Sequence, residues 1–219
     1  MSKYSSRGSY AGYDKNNKER EALDYYTTPP EEVTNILQEL NLPKNQCFNI
    51  LEPSCGGGHM VEGILNYFDN ANIYATDIKQ RENKYINTHN EKSVTYQYGK
   101  DYDFLSENYP YNTADIVIMN PPFKVAIPFI LHGLEIAKSK LIVLGRTKLV
   151  ESVNRYEKIF ENTPPIYIYQ YIDRIACAKN GIFENLSSIE AYSWFIWDKE
   201  KMNKPYETIF KWIWSKNKK

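Results

Sequence analysis

Two segments, Ile116-Val117-Ile118-Met119 and Leu141-Ile142-Val143-Leu144, are apolar at every position. A strand with one wet face alternates apolar and polar residues, so an unbroken run points to burial on both sides. Their shortness and β-branched content predict strands rather than helix. Residues 48–51, 72–75 and 94–98 read as further strands, and 60–68 and 127–137 read as helices. Strands that alternate with helices form a parallel sheet covered on both faces. The expected fold is α/β, Rossmann-like, with a mostly parallel sheet flanked by helices.

Outside this block the pattern differs. Val33, Ile36, Leu37 and Leu40 share one face of a helix that starts near Pro30, with Thr28 as its expected N-cap. Beyond residue 150 a polar helix over 153–160 stops at Pro164-Pro165, and strands follow at 166–169, 192–197 and 208–214. No helix separates the last two, which predicts an antiparallel pair near one edge. Residues 1–23 are polar and aperiodic and carry Lys3, Arg7, Lys15, Lys18 and Arg20, so they read as a flexible basic arm. Residues 24–219 are expected to form a single domain with no separate target-recognition domain.

The turn after the first of these strands is Leu51-Glu52-Pro53-Ser54-Cys55-Gly56-Gly57-Gly58. Glycines there let the backbone turn sharply and approach a ligand closely. In a doubly wound sheet this turn borders the ligand crevice. Asp77 ends the next strand, with Ile78 beside it, and Asp103-Phe104 follows the one after. Three carboxylates at successive strand ends suit a nucleoside that carries a sulfonium and an ammonium. They would repel a pyrophosphate, so S-adenosylmethionine is the expected cofactor rather than NAD.

The fourth strand ends in Asn120-Pro121-Pro122-Phe123. The prolines stop the strand and stiffen the turn. The Asn120 amide oxygen and the Pro121 carbonyl can then converge on one amino group, while Phe123 stacks on the base that bears it. Such a site works by positioning and electrostatics, without a covalent intermediate, on a base flipped out of its duplex.

These residues resemble the catalytic motif of the S-adenosylmethionine-dependent amino-methyltransferases, whose members act on adenine N6, cytosine N4, guanine N2 or protein glutamine. The segment Asp24-Tyr25-Tyr26-Thr27-Thr28-Pro29-Pro30 is similar to the opening of adenine-N6 DNA methyltransferases. Tyr192-Ser193-Trp194-Phe195-Ile196-Trp197-Asp198 is similar to the late aromatic strand of small phage-type members. The resemblance implies the Rossmann-like methyltransferase fold and methylation of adenine N6 in DNA. It implies that Thr28 and the backbone of Gly56 and Gly58 hold the methionine part of the cofactor, in a turn shared with Pro53 and Ser54. Glu52 then lies near the amino group, Asp77 with Ile78 binds the ribose, and Asp103 with Phe104 frames the adenine. Asn120, Pro121, Pro122 and Phe123 form the catalytic pocket, lined by Tyr25 or Tyr26.

Lys plus Arg equals Asp plus Glu at 27 each, so bulk charge names no partner, and a nucleic acid would need local basic patches. The arm, the loop at 174–185 and the tail lysines Lys199, Lys201, Lys204, Lys211, Lys216, Lys218 and Lys219 are the candidates. Without a recognition domain, site specificity is expected to be short or relaxed, or supplied by a second subunit. The protein itself is expected to be a monomer or homodimer. An RNA base methyltransferase and a non-catalytic subunit of a methyltransferase pair are the alternatives. Cys47, Cys55 and Cys177 are too scattered for a disulfide framework or a metal site. No stretch is long and apolar enough for a bilayer, and the expected location is the cytoplasm of a bacterium or phage-infected cell. His59 and Cys55 are assigned no catalytic role, and Trp194, Trp197, Trp212 and Trp214 are read as core residues.

Overall fold

The computed structural model describes residues 26–82, 85, 93–179, 190–202 and 207–216. The arm at 1–23, Tyr25, residues 180–185 and the lysines Lys204, Lys218 and Lys219 lie outside them. A short strand β1 (Tyr26–Thr27) leads into helix α1 (Pro30–Glu39). Strand β2 (Phe48–Glu52), helix α2 (His59–Tyr67), and strands β3 (Ala71–Asp77) and β4 (Val94–Tyr98) follow. Then come β5 (Ala114–Met119), helix α3 (Ala126–Ile136) and β6 (Ala137–Arg146). The remainder holds a helical turn α4 (Val153–Arg155) and strands β7 (Tyr167–Tyr171), β8 (Ala178–Lys179), β9 (Tyr192–Asp198) and β10 (Ile209–Ile213).

Eight strands form one sheet in the order β10-β7-β9-β6-β5-β2-β3-β4. The β6-β5-β2-β3-β4 part is parallel throughout. The antiparallel pairing expected near one edge is present, but its partners differ. Strand β9 runs antiparallel to both β6 and β7, and β10 joins the outside of β7 in parallel. The last two strands therefore do not pair with each other.

The two unbroken apolar runs form the middle of the sheet, and all of their residues are buried. Successive side chains along a strand point to opposite faces. Accordingly Ile116, Ile118, Ile142 and Leu144 join α1 and α2 in one apolar layer, through Val33, Ile36, Val61 and Ile64. Val117, Met119, Leu141 and Val143 join α3 in the other, through Phe129 and Ile130. Trp194 and Trp197 fill opposite layers and satisfy their indole N–H groups on the Tyr171 hydroxyl and the Thr163 carbonyl, each at 2.8 Å.

Two expectations are corrected. Trp212 and Trp214 are not core: they are 65% and 50% exposed, because they sit on or just past the outermost strand. The residue before α1 is Pro29, and the Thr28 side chain does not cap the helix. The helix expected at 153–160 is present: one α turn at Val153–Arg155 widens over Tyr156–Phe160, with the Glu161 N–H donating to the Tyr156 carbonyl at 2.8 Å. No helix among the described residues is long and apolar enough to cross a membrane.

Helices α1 and α2 touch at Gly63. A Cβ there would stand 2.4 Å from the Pro30 carbonyl oxygen and 2.6 Å from the Val33 Cβ. Backbone cannot yield as a flexible side chain can, so Gly63→Ala must push α1 off α2. A loss of about 1–3 kcal/mol is expected. It would be read as a lower urea midpoint, and unchanged stability would show that the contact is looser than described.

Candidate active site

The parallel strands end along one edge of the sheet, and the expected site residues gather there. After β2 the chain makes a tight turn in which Gly56 and Gly58 have φ of 49° and 79°, values that favour glycine. The Cys55 N–H donates to the Thr76 carbonyl at 3.0 Å, and the Gly58 N–H to the Cys55 carbonyl at 2.8 Å. The turn thereby folds back over the end of β3. Asp77, at that end, accepts from the backbone N–H groups of Gly56 at 2.9 Å and Lys79 at 3.0 Å. Ile78 beside it is 38% exposed.

Glu52 is 1% exposed, and its Oε2 atom is buried without a hydrogen-bond partner. Its Oε1 lies 3.5 Å from the Ser54 hydroxyl. Burial, and then the negative charge of Asp77, push the Glu52 carboxyl well above the usual carboxylate range. Burial also raises Asp77, against the backbone N–H groups and Arg81 that favour its charged form. Two neighbouring carboxylates, each held up by burial, make a pocket that a cationic ligand would relieve.

Asp103 follows β4 and accepts from the Leu105 N–H at 3.1 Å. The expected role of Phe104 as a ring that frames a ligand is corrected. Phe104 is 1% exposed and packs among Tyr109, Phe129 and His132. Its carbonyl accepts from the His132 ring. The ring is drawn into the apolar layer beneath α3 and presents no face to the crevice.

At the end of β5, Asn120 meets the N-terminal segment. Its Nδ2 donates to the Tyr26 carbonyl at 3.0 Å and to the Thr28 hydroxyl at 3.2 Å. The Tyr26 carbonyl can only accept, so it identifies the amide nitrogen and turns Oδ1 the other way; the Thr28 hydroxyl then accepts from the same nitrogen. The side chain of Thr28 is thus committed to Asn120 rather than to the helix end. Tyr26 and Thr27 are in turn anchored by the β1–β8 ribbon, in which Tyr26 pairs with Lys179 and Thr27 with Ala178. The Ser54 hydroxyl donates to the Asn120 carbonyl at 3.4 Å and so links the glycine turn to the Asn-Pro-Pro-Phe turn. Pro121 is buried. Pro122 is exposed, and its carbonyl accepts from the Val125 N–H at 3.0 Å.

Phe123 is half-buried among aromatic rings, with Tyr26 at 5.2 Å and Tyr192 at 6.3 Å between centroids. The guanidinium carbon of Arg146 lies 3.7 Å from its ring centroid. Arg146 also pairs with Glu190 at 3.3 Å, and Lys148 reaches the same carboxylate oxygen at 3.2 Å. Sequence reading did not single out Arg146 or assign Tyr192 to the site. The available signal was Arg146's place at the end of an apolar run, where side chains reach the crevice.

Cys55 and His59 are both buried. Burial, followed by the charges of Glu52 and Asp77, pushes the Cys55 thiol well up and away from a reactive thiolate. The idea that tail lysines flank this face is corrected in part. Lys140 pairs with Asp198 in the β6–β9 register, so Lys199 and Lys201 lie at the opposite edge of the sheet. Antiparallel β9 carries them there.

No curated protein matches the chain. Among solved structures, it is similar to a candidate class I S-adenosylmethionine-dependent methyltransferase from Listeria monocytogenes, with a TM-score of 0.60 at 14% identity. That match covers 84% of this chain and 63% of the Listeria protein, so the chain spans less than two thirds of that relative. A candidate RNA methyltransferase from Pyrococcus horikoshii gives 0.57 at 16% identity, covering 83% of this chain and 91% of the other. An S-adenosylmethionine-dependent O-methyltransferase from Thermotoga maritima gives 0.53 at 13%, with 78% and 66% covered. At such identities the likeness is one of fold, and the fold is the Rossmann-like methyltransferase fold expected from the sequence. Residues 16–131 match the profile of an uncharacterised methyltransferase family (DUF6094), and the chain belongs to that family.

Proposed function

We propose that this protein transfers a methyl group from S-adenosylmethionine to the exocyclic amino group of a flipped nucleic-acid base, with adenine N6 in DNA as the acceptor. The observation that carries this reading is the orientation of Asn120. Two acceptors hold its Nδ2, so Oδ1 is the atom offered to an incoming amine. An amine N–H bonded to Oδ1, with a second on the Pro121 carbonyl, leaves the nitrogen lone pair free to attack. Phe123 supplies the flat apolar surface for the base. The alkylated nitrogen then loses one proton to solvent. No general base is needed, because positioning carries the chemistry.

The cofactor fits the residues present. The unpartnered Glu52 Oε2, with Asp77 nearby, suits the ammonium group. Asp77 with exposed Ile78 suits a ribose and the ring beyond it, and the backbone of Gly56 and Gly58 leaves room for close approach. Bound there, S-adenosylmethionine would supply an electrophilic methyl group on a sulfonium, with a neutral thioether as the leaving group that takes the C–S bonding pair. The single-domain organisation and target selection by short segments or a second subunit belong to the same proposal.

Incubation with tritium-labelled cofactor and either DNA or RNA tests the reading, and nucleoside mass spectrometry names the base. Label in DNA as N6-methyladenine is expected. Label confined to RNA would move the assignment to RNA, and no label in either would end it. Asn120→Ala should lower transfer by about a hundredfold or more, while calorimetry shows cofactor affinity retained. A fully active variant would sink the positioning mechanism.

A Glu52→Gln variant should bind the cofactor more weakly yet be the more stable free protein. The sign follows from the raised carboxyl of Glu52. Below the unfolded value, near 4.5, both states are protonated and burial carries no charge penalty. As pH rises toward the elevated folded value, the unfolded chain ionises first and stability declines. Glutamine keeps the neutral form throughout, so its melting advantage should appear above about pH 5 and grow with pH. A variant that melts below wild type at pH 8 would contradict this. Methylome sequencing after exposure to the purified protein should show a short or relaxed site; a single long motif would refute that expectation.

A further inference from the structure

Strand β10 ends the sheet on one side and lacks the devices that keep a free edge apart from other chains. The Ile209 N–H donates to the Ile166 carbonyl at 2.9 Å, and the Ile172 N–H donates to the Ile213 carbonyl at 3.0 Å. In a parallel ladder these bonds commit Ile209, Lys211 and Ile213 to β7, and they turn the backbone groups of Phe210 and Trp212 outward. Both ends of the strand are held. The Thr208 hydroxyl donates to the Pro165 carbonyl, and Asn35 Nδ2 to the Trp214 carbonyl, each at 2.7 Å. Phe210, Trp212 and Trp214 stand at every second position and are 53%, 65% and 50% exposed. The first two rings meet edge to face, with centroids 5.3 Å apart. Proteins blunt an edge with proline, a bulge or an outward lysine. Strand β10 contains no proline, and its register with β7 is unbroken. Its one lysine, Lys211, turns inward from the other face and donates to the Tyr169 hydroxyl at 3.2 Å.

We propose that β10 is a dimer interface, pairing antiparallel with β10 of a second copy about a two-fold axis at Trp212. The two Trp212 residues then exchange both backbone bonds, and Phe210 lies beside Trp214 of the partner subunit. Lys211 falls opposite Ile213 of the partner subunit. The other register open to the outward groups centres on Lys211 and would set two like charges face to face. A large aromatic side chain carries about 150–250 Å², so the three exposed rings leave about 350 Å² in water on each copy. With Ile209, itself 49% exposed, and the strand backbone, a pair buries about the 1,000 Å² that marks a specific interface. Strand β4, at the opposite edge, exposes no large apolar side chain. Like edges therefore match where unlike edges do not, and like edges close into a pair rather than a filament. A nucleic acid suits the aromatic row less well, because the cation of this strand is taken up on the other face. Strand β10 runs in the same direction as β5 and β6, so antiparallel pairing opens the two crevices at opposite edges of the joined sheet. Each copy then works on its own target. The interface is independent of the acceptor proposed above.

Sedimentation equilibrium of the full chain tests the pairing, with amide hydrogen exchange followed in the same samples. At high micromolar concentration the mass should be twice that of one chain. The Phe210 and Trp212 amides should exchange slowly there and fast once dilution separates the copies. Trp212→Lys puts a charge on the axis at an exposed position and should weaken the dimer by about thirtyfold or more. Thr95→Lys, on the exposed side of β4, should leave the mass unchanged. A monomer at every concentration overturns the proposal. Slow Phe210 and Trp212 exchange in such a monomer would assign the edge to another segment of the same chain. Trp212-dependent quenching of its fluorescence by a single-stranded oligonucleotide would assign the edge to nucleic acid. A dimer that Trp212→Lys leaves intact, or that Thr95→Lys splits, also overturns the proposal. If Trp212→Lys fails to fold, the dilution dependence of the wild-type amides still decides.

Discussion

The hydrogen bonds from the Asn120 amide to the Tyr26 carbonyl and the Thr28 hydroxyl join the end of a central strand to a segment that precedes the whole sheet. Each is worth only about 0.5–1.5 kcal/mol net. Their structural effect is larger than that figure, because they orient an amide that could otherwise face either way. They also explain why a two-residue strand exists. The β1–β8 ribbon adds little core, but it immobilises the Tyr26 carbonyl that Asn120 needs. The Ser54 bond to the Asn120 carbonyl then couples this node to the glycine turn. The glycine turn, the Asn-Pro-Pro-Phe turn and the N-terminal segment are therefore one bonded unit.

That unit is built at a cost in stability. Glu52 is buried with one oxygen unpartnered, close to a second carboxylate that is also largely withdrawn from water. A buried acceptor left unsatisfied is unfavourable by about 1–3 kcal/mol, and more when charged. An unsatisfied buried group in a native structure calls for an explanation, and a cationic ligand bound there would supply one. Burial, and then the same charges, push the Cys55 thiol well up beside them.

Much of this was legible in the residues. Unbroken apolar runs have one low-energy home, a sheet covered on both faces, so β5 and β6 could be read with little context. Gly56 and Gly58 could be read because their backbone angles exclude most other residues. Thr28 was placed near the site, but its partner was misjudged, since a threonine before a helix has a local use that outranks any distant one in sequence reading. Phe104 was misassigned for a related reason. A phenylalanine after a strand can face the crevice or the core, and its neighbours Phe129 and His132 arrive from a helix further along the chain. Trp212 and Trp214 look like core by composition, and only their position at the sheet's outer edge exposes them.

The direction of β9 accounts for both the largest surprise and the largest correction. Were β9 parallel to its neighbours, Tyr192 would lie at the far edge and the lysines after Asp198 would border the crevice. Its reversal sets Tyr192 opposite Arg146 and carries Lys199 and Lys201 away. Aromatic and cationic side chains meet at Phe123 because of that single reversal. Burial raises the Tyr192 hydroxyl, with the nearby Arg146 opposing the rise. The aromatic and cationic cluster around Phe123 is thus a product of strand order, which no local sequence pattern encodes, whereas the turn at Asn120-Pro121-Pro122-Phe123 beside it is a product of residue type, which a local pattern does encode.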